Sequence, residues 1–242
     1  MSKLARSRKA RRGTEVLCEY LFRPLAHVVV LALAPLRVPP PAVVLAATAT
    51  GVAGAVELAR GHLFVAALLV QLKTVLDNAD GQLARLTDRV TLLGRYLDSE
   101  CDLLVNASLF AALGWYSERP IVCAAGFVAL TAIASANFNV ERIARRAPVA
   151  IDPYPFLAGF YLLAYGWQDR LAQRALGGLQ VGARRVGALA NLGVSTQLLA
   201  FGVCLATGEP LLYVWLLLAQ IVFLLVLLAP AYPSREAVLE HR

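Results

Sequence analysis

Apolar runs of roughly membrane-spanning length, about 20 residues each, follow one another along this chain and are separated by short polar joints. They fall at about 41–59, 63–85, 95–116, 120–141, 187–207 and 210–230. Each is long enough to form a helix that satisfies its own backbone hydrogen bonds inside lipid. The joints hold turn residues and charges, as at Ser117–Pro120 and Gly208–Pro210. Pro39, Pro40 and Pro41 stand at the head of the first run, where proline suits a helix's first turn and marks a new start. Residues 14–36 read differently, because Glu15, Glu19 and Arg23 interrupt the run. Leu17, Tyr20, Leu21 and Leu25 would share one face of an interfacial amphipathic helix turned to the lipid boundary. The clean stretch that ends it, Leu25–Leu36, is too short to span. Residues 150–185 are apolar only from Tyr154 to Trp167, before Gln168, Asp169 and Arg170, and read as an interfacial or partly inserted helix rather than a seventh span.

Charge and composition sharpen this picture. Hydrophobic residues make up 59% of the 242 and charged ones 16%, against roughly 45–50% and 25% in an ordinary soluble domain. Mean hydropathy is +0.63. A soluble domain and a disordered chain are both excluded. The net charge of +7 suits anionic lipid headgroups rather than nucleic acid. Of the lysines and arginines, only Arg60 and Arg119 fall in the outer joints of a six-span layout with the N-terminus inside, and Lys73 lies within a span. All the others fall on the inner side, as the positive-inside rule requires. The basic arm of Lys3, Arg6, Arg8, Lys9, Arg11 and Arg12 lacks the clean apolar core and cleavage site of a signal peptide. The expectation is an all-α integral membrane protein of the cytoplasmic membrane: a basic arm and interfacial helix over 1–37, then a six-helix transmembrane domain over 38–242. Cys18, Cys101, Cys123 and Cys204 are far apart and read as small buried thiols rather than a metal site or disulfide framework.

Five of the seven aspartates lie between 77 and 102, at the inner end of the second span and the start of the third. Ionisable groups within spans are costly and point to function. Asp77, Asp80, Gly81 and Ala84 are spaced to share one helix face, and so are Gly94, Asp98 and Asp102. Two helices joined by a short inner turn would aim these faces at each other, and four carboxylates would meet in one cleft. Unpaired, they would repel, so a divalent cation is the economical remedy. Hard oxygen donors suit Mg²⁺ or Mn²⁺. Gly81, Ala84 and Gly94 leave room for a ligand to approach the backbone, and Arg85 offers a fork suited to phosphate. Asp88 stands outside the pattern and reads as an interfacial or capping carboxylate.

This arrangement resembles the signature of the CDP-alcohol phosphotransferase family, D-x2-D-G-x2-A-R-x8-G-x3-D-x3-D. Asp77, Asp80, Gly81, Ala84, Arg85, Gly94, Asp98 and Asp102 match all eight fixed positions with the family's gaps. The chain departs from the family's Pro-Asn-x-x-Thr at the start of the first span, reading Pro39-Pro40-Pro41-Ala42-Val43-Val44. The resemblance implies transfer of the phosphatidyl or phosphoalcohol half of a CDP-alcohol such as CDP-diacylglycerol to a hydroxyl acceptor, with release of CMP, in phospholipid synthesis. It implies that Asp77, Asp80 and Asp98 hold Mg²⁺ or Mn²⁺ with Asp102 close to it. It further implies that Asp102 is the general base, and that Gly81, Ala84 and Arg85 cradle the cytidine diphosphate beside Gly94. Homodimers are common in the family.

The acceptor site is less defined. Arg142, Arg145 and Arg146 after the fourth span, and Arg184 and Arg185 before the fifth, would face the cytoplasm with the Asp cleft. They read either as plain inside charge beside membrane lipid or as a grip on a phosphate-bearing acceptor, such as glycerol 3-phosphate or an inositol phosphate. Asn137, Asn139, Asn191, Ser195 and Gln197 line the pocket or bond between helices. The rivals are an aspartate-rich Mg²⁺-dependent intramembrane prenyltransferase, which needs a second acidic motif, and a cation transporter, which places its acids near the midplane of broken helices.

Overall fold

The computed structural model describes residues 13–145 and 183–228, with Gly159, Gly166, Trp167, Arg170 and Arg174. The interfacial helix expected within 150–185 lies outside the described stretches, as do the N-terminal basic arm and the last residues of the chain. The described residues are helical, with no strand among them. A π-helical turn, Cys18–Phe22, leads into α1, Arg23–Leu33. Then follow α2, Pro40–Ala59, α3, Leu63–Leu86, α4, Leu92–Ser117, and α5, Pro120–Arg145. After the gap come α6, Ala183–Ala190, α7, Val194–Ala206, and α8, Pro210–Leu228. By length and composition α2 and the Pro120–Arg142 part of α5 can cross a membrane, while α7 and Pro210–Val226 of α8 are shorter apolar helices. The acidic residues of α3 and α4 keep those two below the same apolarity.

Local chemistry accounts for the helix ends. Pro40 opens α2 behind an extended Pro39, so the missing proline N–H falls where no intrahelical partner exists. Thr91 caps α4 by accepting the Gly94 N–H through its hydroxyl at 3.0 Å. Asp88 takes the left-handed backbone just past α3, at φ +55°. There Thr87 N–H reaches Leu83 O and Arg89 N–H reaches Ala84 O, which satisfies the last carbonyls of the helix. Asp88 is therefore part of the turn that ends α3.

The helices α3 and α4 both pack on α2, and α3 also packs on α1 and α7. A close approach at Gly51 of α2 makes this possible. A Cβ at that position would come within 2.5 Å of Val105 and 3.2 Å of the Lys73 stem. The main core joins Leu58, Val70, Val105, Leu109 and Leu113 to Phe201, Tyr213 and Leu217. Phe201 and Tyr213 lie with ring centroids 4.8 Å apart. A second cluster joins Ala26 and Val30 of α1 to Val43, Ala79 and Leu83. Leu17, Tyr20, Leu21 and Leu25 are exposed, while Cys18, Phe22, Ala26 and Val30 turn inward.

The continuous run expected over 187–207 is broken in the structure. It is divided into α6 and α7 by a turn at Asn191–Gly193. The N-terminal segment packs against the break. Glu15 is buried, and one of its carboxylate oxygens accepts the Thr196 N–H at 3.0 Å and the Thr196 hydroxyl at 3.1 Å. Glu15 thus caps α7 from a distant part of the chain, and a carboxylate suits a helix N-terminus. Asn191 accepts the Val16 N–H and donates to Thr14 O. The Glu15 carboxyl group lies where a Cβ of residue 193 would project, so a side chain there would push Glu15 from this position. Glu15→Ala should remove this cap and lower stability by about 0.5–2 kcal/mol, seen as a reduced melting temperature in detergent. An unchanged melting temperature would mean that the contact is not holding α7.

Candidate active site

The second half of α3 presents two faces. Ala79 and Leu83 pack against α1, and Gln82 donates to the carbonyl of Arg23 at 3.1 Å. The opposite face carries Asp77, Asp80, Gly81 and Ala84. The acids Asp98 and Asp102 stand one turn apart on α4. Because the two helices lean on α2 rather than on each other, their acidic faces bound a cleft instead of a closed seam.

Carboxylate oxygens of Asp77, Asp98 and Asp102 lie within 4.8 Å of one another. Asp80 stands outside that group. It is 7% exposed, and one of its oxygens accepts the Gly81 N–H of its own helix. The predicted four-carboxylate cluster is therefore a close triad with Asp80 beside it. Three converging carboxylates make an all-oxygen donor set of the kind that suits Mg²⁺ or Mn²⁺. The cleft also draws a cation in the structure itself: the ammonium of Lys73, 3% exposed, donates to Asp77 at 3.0 Å and to Asp102.

The small residues have two different surroundings. A Cβ at Gly81 would meet the Arg85 guanidinium at 3.3 and 3.5 Å. Arg85 folds back over the bare backbone that was expected to admit a ligand, so Gly81 and Arg85 act as one unit. A Cβ at Gly94 would meet only the capping hydroxyl of Thr91. Ala84 is half-buried and accepts the Arg89 N–H that closes α3. Arg142, at the end of α5, donates to Asn139 at 2.9 Å, and Asn139 is fully buried with its amide on Ser135 O. The side chains of Arg145, Arg146, Arg184 and Arg185 lie outside the described residues. Ser195 bonds Asn78, and Gln197 bonds Gln220 at 2.6 Å, so both tie helices together.

Two residues of this site escape the motif. Lys73 carries its signal in plain view: a lysine inside an apolar run, four residues before Asp77, on the same helix face. Asn78 occupies a variable position of the motif, and only its tertiary contacts reveal it. Its amide nitrogen donates to Thr74 O and to the Ser195 hydroxyl, and its oxygen accepts from the Cys18 thiol. It thereby fastens the acidic helix to both the N-terminal turn and α7.

Fold and site together define a helical protein with an acidic, cation-attracting cleft between two helix ends. Residues 29–227 match the model of the CDP-alcohol phosphatidyltransferase family, and the chain belongs to that family. Over 153 residues it is 29% identical to the archaetidylinositol phosphate synthase of Aeropyrum pernix, covering 63% of this chain and 65% of that protein. Over 77 residues it is 36% identical to the phosphatidylinositol phosphate synthase of Corynebacterium glutamicum, covering 30% of this chain and 35% of the relative. Over 79 residues it is 35% identical to the bifunctional IPC transferase and DIPP synthase of Thermococcus kodakarensis, covering 32% and 18%. Each match spans less than two thirds of the relative's length. No solved structure matches the chain. The family assignment sets aside the prenyltransferase and the cation transporter.

Asn78→Ala should leave the Ser195 hydroxyl and the Cys18 thiol without their shared partner. It should destabilise the protein by about 1–3 kcal/mol, measured as a fall in melting temperature in detergent. A variant as stable as the parent would show that the Asn78 bonds do not hold α3 in place.

Proposed function

We propose that this protein transfers the phosphatidyl or phosphoalcohol group of a CDP-alcohol, CDP-diacylglycerol in the first instance, to a hydroxyl acceptor and releases CMP. The observation that carries this reading is the convergence of Asp77, Asp98 and Asp102 carboxylates within 4.8 Å, on residues that match the family motif position by position. In the full reading, 1–37 is a basic arm with an interfacial helix. Residues 38–242 form a six-helix membrane domain, with the site at the cytoplasmic ends of its second and third spans. The inside bias of basic residues supports that orientation, and a homodimer is the assembly carried over from the family.

Asp77, Asp98 and Asp102 would hold Mg²⁺ or Mn²⁺, with Asp80 as the fourth ligand once its carboxylate turns into the cleft. A divalent ion bound there would neutralise the diphosphate and favour departure of CMP. Arg85 would lift from Gly81 to pair with the donor's phosphates, and Gly81, Ala84 and Gly94 would leave the backbone open to the cytidine. Asp102 lies deepest of the motif residues along α4 and would meet the acceptor hydroxyl. Its carboxylate takes the hydroxyl proton as the acceptor oxygen forms its bond to phosphorus and the bond from phosphorus to the CMP oxygen breaks.

The acceptor in this reading carries a phosphate. Two relatives are named as synthases of phosphatidylinositol phosphate and archaetidylinositol phosphate, which supports an inositol phosphate as the first candidate. Arg142, together with Arg145 and Arg146, would bind that phosphate. The experiment is to incubate the purified protein with CDP-diacylglycerol, Mg²⁺ and a panel of alcohols, and to measure CMP. Release that depends on inositol phosphate is expected. Release with no alcohol of the panel would remove the proposed activity, and release with unphosphorylated inositol alone would remove the phosphate grip.

Replacing the two α4 acids should separate their roles. Asp102→Asn should lose at least about a hundredfold in turnover, within the roughly 10²–10⁴ range for a lost general base, and donor binding should change far less. Asp98→Asn should weaken metal affinity, so raised Mg²⁺ should partly restore its activity. Equal rescue of both variants by Mg²⁺ would make Asp102 chiefly a ligand and assign the base elsewhere.

A further inference from the structure

Lys73 lies one helical turn before Asp77, deeper in the helix bundle than the motif itself. Its side chain is 3% exposed. Its stem runs past Gly51 of α2, where a Cβ would come within 3.2 Å of it. Packed in this way, the stem delivers the ammonium to one place, between Asp77 of α3 and Asp102 of α4. These are two of the three residues whose carboxylates converge. A lysine at the lipid face would snorkel outward. Lys73 instead bridges the two helices that bear the acids.

An ammonium and a divalent cation make the same demand on those oxygens. Both need lone pairs of Asp77 and Asp102 directed into the cleft, and placed a few ångströms apart they repel each other. In a poorly hydrated cleft that repulsion is strong. We propose that Lys73 is a tethered cation that closes the carboxylate site in the metal-free protein and must leave Asp77 and Asp102 when a divalent ion enters, so that it sets the metal affinity of the site. Lys73 is thus a positioning residue. It holds the acids together across the cleft before substrate arrives, and it restricts metal loading to conditions that outweigh its own ion pairs. The inference rests on the metal-site reading above and extends it to a residue outside the motif.

The consequence is a change of opposite sign in two measurements. Lys73→Met keeps the length of the side chain and removes its charge. Mutually exclusive binding of two cations is a coupling between them, and such couplings typically amount to roughly 5–150-fold in affinity. Mn²⁺ binding to the full-length protein in detergent can be followed through the electron paramagnetic resonance signal of free Mn²⁺, without nucleotide. Lys73→Met is expected to bind Mn²⁺ at least about tenfold more tightly than the parent. In EDTA the same variant is expected to melt at a lower temperature than the parent, because its acids are no longer compensated, and saturating Mn²⁺ should close that gap.

Unchanged or weaker Mn²⁺ affinity in Lys73→Met would overturn the proposal, since a lysine that merely fills space or stabilises the bundle does not compete with the metal. Recovery of folded Lys73→Met only in the presence of Mn²⁺ would support it. If neither Lys73→Met nor Lys73→Gln folds even with Mn²⁺ present, the lysine is needed in the loaded state and the proposal fails. The parent protein distinguishes this failure from that of the underlying reading. If the parent binds no Mn²⁺, the metal site itself is wrong and the competition with it. If the parent binds Mn²⁺ and the variant binds it no better, only the role of Lys73 falls.

Discussion

Like charges in a poorly solvated place are the constraint on which this structure turns. Asp77, Asp98 and Asp102 bring carboxylate oxygens within 4.8 Å of one another, and Asp80 is buried beside them. In water such a group would disperse, and inside a helical membrane protein it must be compensated or pulled apart. Packing of both acid-bearing helices on α2 holds the acids near one another. The ammonium of Lys73 supplies compensation. Gly51 serves both ends, since the absence of its side chain admits Val105 of α4 and the Lys73 stem to the same spot.

Around this charged centre the fastening is polar and comes from far along the chain. Gln82 holds α3 to the carbonyl of Arg23. Asn78 holds it to Cys18 and Ser195, and Glu15 caps α7 through Thr196. The N-terminal segment thus reaches α3 and α7 alike. Where lipid replaces water, apolar contact between helices gives little net drive, and side-chain hydrogen bonds carry more of the specificity. This is why the back face of the acidic helix carries an amide among its apolar residues.

Helical bundles support many chemistries, so the bundle alone defines no activity. The cleft narrows the field, because the three converging carboxylates of Asp77, Asp98 and Asp102 form an all-oxygen site suited to a divalent ion. Arg85 rests on the bare backbone of Gly81, so a ligand approaching that backbone would first displace the guanidinium.

Most of the helices were legible from residues taken alone. Prolines at 40, 120 and 210 mark three starts that the structure keeps, and five of the six apolar runs coincide with helices to within a few residues. The acidic motif was legible too, because helical spacing fixes which side chains share a face whatever the rest of the chain does. Three features were decided elsewhere. Asp80 bonds its own backbone through the Gly81 N–H and stands outside the close triad, a choice among rotamers that spacing does not express. Asn78 holds a variable position in the motif and is a junction only because α7 and the N-terminal turn meet there. The run over 187–207 reads as one span in spite of Asn191, Gly193, Ser195, Thr196 and Gln197, yet it breaks at Asn191–Gly193, and Glu15 caps its second part. Hydrophobic periodicity records what neighbours along the chain can do together. The Glu15 and Thr196 pair stands 181 residues apart, and a contact of that range exists only once the helices between them have packed.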